Sequence, residues 1–376
     1  MSKALKTGFP QTLLSWHRAH GRQGLPWQGV RDPYAVWVSE IMLQQTQVAT
    51  ILERYPRFMK RFPTVKKLAA APLDDVLAEW AGLGYYSRAR NLHACANQVM
   101  TDFAGKFPSD PILLEQLKGI GRSTAGAIAA FAFHERAPIL DANVKRILAR
   151  LFGIEGALQE KATDKQLWNI AQELLPKNPQ DMPVYTQALM DFGATWCTSR
   201  KPACITGIER CPFEKQCQAN LSDQVLQLPR KVVKAKSPEF DCDMLLLRHG
   251  DSVLLQKRPE KAIWGSLWSL PESAWRAKTT FSKPPISLPE LLAQVLSEEK
   301  ISTALKRISL DQGPQIKHIF THRRLWIQVW NASIGQEIIF SSQNTRWVSL
   351  RQLGKYGLPQ PIKLLLQGLS LVRGPD

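Results

Sequence analysis

From Pro10 to about Leu221 the apolar residues recur at helical spacing. Val38, Ile41, Met42, Val48, Ile51, Leu52 and Tyr55 make one such stripe. Leu113, Leu114 and Leu117 lead into a glycine-containing turn that a second apolar helix follows. Val144, Ile147, Leu148 and Leu151 form a further stripe, closed by Gly153. Short turns with proline and glycine separate these segments, so residues 1–222 are expected to be all-α. The pattern changes near Gln224. Leu228 to Pro238 is basic, bounded by prolines and without a helical stripe, which predicts a linker over 223–239. Beyond it, Met244–Leu247 and Val253–Leu255 flank a His249-Gly250-Asp251 turn, the pattern of a β-hairpin. Leu325–Trp330 and Arg346–Val348 read as later strands. The expected architecture is multi-domain, an all-α region followed by a smaller α+β domain over 240–376, without internal repeats.

With 376 residues the chain is long enough for two or three domains and needs no disulfide staples. Its longest apolar run, Ala127 to Phe133, is closed by His134 and falls far short of the ~18 residues of a membrane span. Trp16-His17-Arg18 interrupts the short apolar stretch at the N-terminus, so a signal peptide is not expected and the chain reads as soluble and intracellular. Charge is the first positive clue. Lys+Arg 49 against Asp+Glu 32 gives +17, an excess that self-repulsion penalises unless the partner is a polyanion. Nucleic acid fits best; a membrane partner lacks a basic amphipathic helix or lipidation signal to support it.

Of six cysteines, Cys95, Cys197, Cys204, Cys211, Cys217 and Cys242, four fall within 21 residues at C-x6-C-x6-C-x5-C spacing. A disulfide framework does not suit a long chain without a secretory signal. Zinc usually takes paired C-x2-C knuckles, absent here, whereas four thiolates from one loop suit an iron–sulfur cluster as well. Iron–sulfur, zinc and free thiols all remain open from spacing alone. Arg200, Lys201, Arg210 and Lys215 lie among these cysteines and are either simply solvated or phosphate contacts.

Leu117-Lys118-Gly119-Ile120-Gly121-Arg122-Ser123-Thr124 sits between two helical stripes. Its glycines permit a sharp turn that exposes backbone N–H groups at a helix start, where a phosphate can bind without regard to base identity. A plain helix–helix corner is the alternative; followed by Arg122 and a helix of small residues, the segment fits a helix–hairpin–helix. Glu40, Gln44 and Gln47 are spaced to share one helix face within an otherwise apolar segment. Glu40 is then either an arginine's partner or a buried acid with a raised pKa. Asp141 stands before Ala142-Asn143-Val144-Lys145 at a helix start, where an ordinary N-cap is the simplest role.

These residues together resemble one family, the MutY-type adenine DNA glycosylases of the helix–hairpin–helix superfamily. The match runs through Leu25-Pro26-Trp27, Ser39 to Gln47, Gly82-Leu83-Gly84-Tyr85-Tyr86, the hairpin, Asp141 to Arg146 and the cysteine loop. It covers nearly all of the first 220 residues in the family's order, and a weaker match to the family's MutT-like C-terminal domain covers about residues 240–370.

The resemblance implies an all-α helix–hairpin–helix glycosylase domain with an Fe–S loop at 197–217, then a Nudix-like α+β domain. It implies a base-excision repair hydrolase that removes adenine mispaired with 8-oxoguanine or guanine from double-stranded DNA, after the base leaves the stack. Glu40 would be the general acid that protonates the leaving purine and then assists water, and Asp141 would stay ionised and stabilise the charge developing on the sugar. Leu25, Trp27 and Gln187 match the family's adenine pocket, Gln44 and Tyr85 its duplex wedges, and Thr46 a residue near the oxidised guanine. Ser123 and Asn143 belong with the substrate contacts, and Phe320-Thr321-His322 matches the Phe-Ser-His loop associated with 8-oxoguanine. Gly119, Gly121, Arg122, Lys145, Arg200 and Lys201 would hold the DNA backbone. Cys197, Cys204, Cys211 and Cys217 would ligate one 4Fe–4S cluster. The implied setting is a monomer on the nucleoid of a bacterial cytoplasm, with no membrane partner.

Endonuclease III-type relatives carry a lysine where this chain has Ser123, and a hydroxyl cannot form an imine, so a monofunctional enzyme is expected. Lys145 is the nearby amine that an adventitious imine would use. The Nudix signature of clustered carboxylates is absent after Trp268 to Glu272, so the C-terminal domain is expected to recognise and not hydrolyse. Two departures stand out. The cysteine loop is four residues longer than the family's usual C-x6-C-x2-C-x5-C, and Lys118 replaces a frequent proline. A lesion-binding protein without catalysis and a bifunctional glycosylase/lyase are the competing classes.

Overall fold

The first apolar stripe belongs to two helices, not one. The computed structural model describes residues 3–207, 209–230, 237–278, 310–335 and 343–371. Helices α1 (Lys3–His20), α2 (Pro33–Leu43), α3 (Val48–Arg61) and α4 (Val65–Ala69) come first, then α5 (Leu73–Glu79) and α6 (Ser87–Asp102). Asp32 caps α2 by accepting from the Tyr34 amide, and Pro33 presets its first turn. Gln44 ends α2 and Gln45 takes a φ of 54°, so the chain breaks before α3. Gln44 and Gln47 therefore do not share a helix face with Glu40, contrary to the expectation from spacing. Gln44 is the C-cap of α2, and Gln47 is the N-cap of α3.

Helices α7 (Pro111–Glu115), α8 (Arg122–Phe133), α9 (Ala142–Phe152), α10 (Lys161–Glu173) and α11 (Met182–Asp191) follow, with short α12 (Ala203–Thr206) and α13 (Gln218–Leu221) in and after the cysteine loop. The α7–α8 junction is the expected hairpin. Gly119 has a φ of +78°, and a Cβ there would sit 2.6 Å from that of Asn91. Helix α8 packs on both α2 and α11, and α9 packs on α11. The residues 137–140 that lead into α9 pass close beneath α8, because Gly126 leaves room for the Pro138 carbonyl. A Cβ at Gly126 would lie 2.3 Å from that oxygen. Gly126→Ala is therefore expected to cost about 1–3 kcal/mol and lower the thermal midpoint, measurable by calorimetry.

The chain divides into two compact units. One comprises Met1–Ala70 and Asn91–Val233, the other Ala71–Arg90 and Lys234–Asp376. In the first unit, Phe9, Leu13, Ile147, Leu148, Leu167, Tyr185 and Phe192 form a buried core from helices far apart in sequence. Among the described residues no helix is long and apolar enough to cross a membrane.

The second unit is built on a mixed sheet. Its strands are β1 (Glu239–His249), β2 (Ser252–Lys257), β3 (Trp268–Ser269), β4 (Arg276–Ala277), β5 (Asp311–Ile319), β6 (Arg324–Ser333) and β7 (Thr345–Ser349). The path runs β3-β2-β1-β6-β5, with β4 on β1 and β7 on β2. The hairpin read from the sequence is β1–β2, antiparallel with His249 opposite Ser252, whereas β1 and β6 pair in parallel. Met244, Leu246, Val253, Leu255, Leu325 and Ile327 face one core, completed by Ile362 and Leu366 of α14 (Gln360–Leu371). Segment 71–90, read from the sequence as part of the helical region, groups with this sheet. Asp74 accepts from Lys257 Nζ at 2.7 Å and Trp268 Nε1 at 3.2 Å, and the Tyr86 hydroxyl donates to the Leu358 carbonyl at 3.0 Å. Residues 231–236 of the expected linker, and 279–309, where the sequence lacks the Nudix carboxylates, lie outside the described residues.

Candidate active site

Helix α2 is buried from Tyr34 to Met42, with only Glu40 carrying a charge on its PYAVWVSEIML sequence. A helix buried on nearly every face is held by packing, so its one carboxyl has little freedom to reach water. Glu40 instead lines a cavity of about 330 Å³, together with Trp27, Arg22, Ser39, His134 and Gln187. Burial, and then the negative charge of Asp141, pushes its carboxyl up to about 8. Glu40 is thus a protonated acid at neutral pH, facing a partly open cavity large enough for a heterocyclic base.

Asp141 starts α9, where Oδ1 accepts from the Val144 amide at 2.8 Å. The N-cap role and a catalytic role are compatible, since one cap bond leaves the second oxygen free to act through space. Ser123 sits in the first turn of α8, and its Oγ accepts from the Leu140 amide at 3.0 Å, one residue before Asp141. A hydroxyl, not an amine, therefore occupies this position, bonded to the amide that precedes Asp141. The Lys145 ammonium is held by Asp164 at 2.5 Å. Asn143 accepts from Arg146 at 3.0 Å and packs on Gly193.

The expected pocket residues divide. Trp27 and Gln187 line the cavity, with Trp27 buried and edge-on to Tyr55 at 5.7 Å. Leu25 is half-buried and is not among the lining residues; its amide donates to Gln28 Oε1. Gln44 donates to Thr124 at 3.3 Å, and the Thr46 hydroxyl donates to the Gln44 carbonyl. His17, Arg22, His134 and Asp191 were not singled out from the sequence. Among the described residues neither buried ring nitrogen of His134 has a hydrogen-bond partner, and Asp191 gathers Arg22, His17 and Gln187 around one carboxylate. Nothing in local sequence marks His17, Arg22 or Asp191, because they meet across up to 174 residues.

At the hairpin, Gly121 starts α8 with no side-chain cap, leaving first-turn amides for an anion. Arg122 stacks at 3.9 Å over Trp168. Arg200 and Lys201 are exposed at the head of the cysteine loop.

Cys197, Cys204, Cys211 and Cys217 line one small cavity beneath that loop. Burial pushes Cys211 up to about 12 and Cys217 up to about 11, with the charges of the other loop cysteines adding to the effect. Arg150 is buried beside them, its Nη1 3.4 Å from Cys197 Sγ and its other bonds going to backbone carbonyls. A buried guanidinium with no carboxylate among these partners calls for an anion, which a set of thiolates around a cluster would supply. Among the described residues, no group of three or more potential ligands converges closely enough to hold a single metal ion. An all-sulfur donor set around one cavity suits an iron–sulfur cluster or a zinc ion by its chemistry. Part of the loop's extra length folds as α12, which Gly207 closes at a φ of +65°.

In the second unit, Tyr85 is 46% exposed and has a φ of 44°. Its hydroxyl shares a 2.7 Å hydrogen bond with Thr321 Oγ1. The Phe320 amide donates to the Arg323 carbonyl, which makes Thr321 and exposed His322 the tip of the β5–β6 hairpin. Phe320 is anchored among His318, Trp264 and Trp275. Two positions expected to read the duplex are thus one contact.

The architecture and site define a class, a helix–hairpin–helix DNA glycosylase joined to a Nudix-like domain. Residues 38–173 match the HhH-GPD superfamily of base excision DNA repair proteins, and residues 243–368 match the NUDIX domain. An adenine DNA glycosylase of Buchnera aphidicola subsp. Acyrthosiphon pisum is 35% identical over 366 residues, covering 96% of this chain and 97% of that protein. The adenine DNA glycosylase of Homo sapiens is 32% identical over 400 residues, covering 91% of this chain and 70% of that protein. A thermostable thymine-DNA glycosylase of known structure is 28% identical with a TM-score of 0.52, covering 58% of this chain and 98% of that one. The chain belongs to the adenine DNA glycosylases.

Proposed function

We propose that the enzyme removes adenine paired with 8-oxoguanine or guanine from double-stranded DNA by hydrolysing its N-glycosidic bond, without cutting the strand. The observation that carries this reading is the protonated Glu40 carboxyl at the cavity, with its pKa near 8, beside the charge of Asp141. The adenine leaves the stack and enters the cavity, where Glu40 donates its proton to the purine ring. Protonation lets the base depart with the bonding electrons, and positive charge spreads over the sugar C1′ and ring oxygen. Asp141 stabilises that charge, as the second carboxylate of a glycosidase does. Glu40, now ionised, takes a proton from the water that adds to C1′.

Ser123 at the position beside Asp141 supports hydrolysis over imine chemistry. Gly119, Gly121, Arg122, Lys145, Arg200 and Lys201 suit the phosphate backbone, and Gln44, Thr46, Asn143 and Leu25 suit the opened duplex and sugar. The Tyr85–Thr321 pair, with Phe320 and His322, suits recognition of the base opposite. Cys197, Cys204, Cys211 and Cys217 would hold one 4Fe–4S cluster, which when bound braces the basic loop. Iron and sulfide analysis of purified protein is expected to give four of each per chain; one zinc per chain would contradict the cluster. The setting is a single chain acting on the chromosome of a bacterial cytoplasm.

The test is single-turnover excision on a duplex with adenine opposite 8-oxoguanine, read with and without alkali. Strand breaks appearing only after alkali are expected, with no borohydride-trapped adduct needed for turnover. Breaks without alkali that accompany base loss would contradict the monofunctional assignment.

A further inference from the structure

Asp191 is the last residue of α11, where the helix passes into a π-helical stretch, Phe192–Trp196. Such a transition shifts the register of the side chains around it, and here it follows one turn after Gln187, which lines the cavity. Asp191 is fully buried. Its Oδ2 accepts from the Arg22 amide at 2.9 Å and meets His17 Nε2 at 3.2 Å. Its Oδ1 accepts from Arg22 Nε at 2.7 Å and from Gln187 Nε2 at 2.9 Å. Against its burial, the hydrogen bond with His17 and then the charge and bonds of Arg22 keep the carboxylate ionised, and an ionised carboxylate can only accept hydrogen bonds. The half of the Gln187 amide that meets it must therefore be the NH2. The other half, Oε1, has no protein partner among the described residues, and Gln187 lines the cavity with Glu40.

We propose that Asp191 is a positioning residue, which locks the Gln187 amide with its oxygen toward the cavity and so selects a 6-aminopurine over a 6-oxopurine. The proposal rests on adenine being the base that enters this cavity. A 6-amino group donates to the fixed oxygen. A 6-oxo group presents a second acceptor, and the pair is left unbonded in a buried site. With asparagine at 191 the amide of Gln187 has both a donor and an acceptor to choose from, so it can turn and accommodate either purine.

The experiment compares single-turnover excision of adenine and of hypoxanthine, each opposite 8-oxoguanine, by the full-length enzyme. Asp191→Asn is expected to lower the adenine-to-hypoxanthine rate ratio by about tenfold or more. Gln187→Leu, which leaves the bonds from Asp191 to Arg22 and His17 in place, is expected to lower the ratio to a similar degree. Adding Asp191→Asn to Gln187→Leu is expected to change the ratio no further, as for two residues acting through one contact. A residue that only supports the fold would slow both substrates alike and leave the ratio unmoved. An unchanged ratio in Gln187→Leu, or a further fall in the double variant, overturns the proposal. Wild-type enzyme inactive on both duplexes would instead overturn the functional reading beneath it, so the two failures are distinguishable.

Discussion

Glu40→Gln is expected to lower single-turnover adenine excision by about 10²–10⁴-fold while leaving binding to the mispaired duplex nearly unchanged. Glutamine matches the volume of the protonated acid and carries no charge, so α2 keeps its packing. It has no acidic proton to give to the purine. The same substitution has a second, opposite signature in stability. In the folded protein burial raises the Glu40 carboxyl from the ordinary 4.5 up to about 8. The folded state therefore binds this proton more tightly than the unfolded state, and the wild type loses stability as pH rises from the first value through the second. Glu40→Gln has no such loss. Its thermal midpoint is expected to exceed that of wild type at pH 9 and to approach it near pH 4. Full excision by this variant would remove Glu40 from the chemistry, and an unchanged midpoint at pH 9 would remove the raised pKa.

Asp141→Asn is expected to slow excision by about 10²–10³-fold with little loss of stability. Asparagine caps a helix as well as aspartate does, so the bond to the Val144 amide survives while the charge is lost. The sugar cation then forms without its counter-charge. Because the charge of Asp141 helps to raise the Glu40 carboxyl, its removal also lowers that pKa. The alkaline fall in the residual rate should consequently begin at a lower pH than in wild type. Rate, melting temperature and pH profile measured on one preparation separate the electrostatic role from the cap. Loss of rate accompanied by an equal loss of folded protein would assign Asp141 to structure alone.

The two carboxylates were visible in the sequence as residues, but only the family resemblance paired them, because the local pattern alone left Glu40 open and read Asp141 as an ordinary N-cap. Glu40 is the lone charge of an apolar helix, and Asp141 directly precedes the helix it caps. The β1–β2 hairpin was legible because Gly250 sits in a polar turn between two short apolar runs and takes a φ of +54°. Spacing misled at Gln44 and Gln47. A helical period continues across a break when the break is a single residue in the left-handed region, here Gln45, and periodicity does not register that. Asp191 and Arg150 were invisible for another reason. Both owe their importance to partners far away in the chain, Arg22 and His17 for one and the cysteine loop for the other. The Tyr85–Thr321 contact spans 236 residues, and only the grouping of segment 71–90 with the C-terminal sheet makes it possible. The sequence motif marked both residues, but not that they touch.

The proton on Glu40 is the central claim, and the pH dependence of single-turnover excision tests it most directly. With adenine opposite 8-oxoguanine, the wild-type rate is expected to hold a plateau through neutral pH. It should then fall tenfold per pH unit above the Glu40 pKa, which lies near 8. A rate that rises through that pH, or stays level to pH 10, would mean that an ionised Glu40 suffices and would contradict its role as the acid.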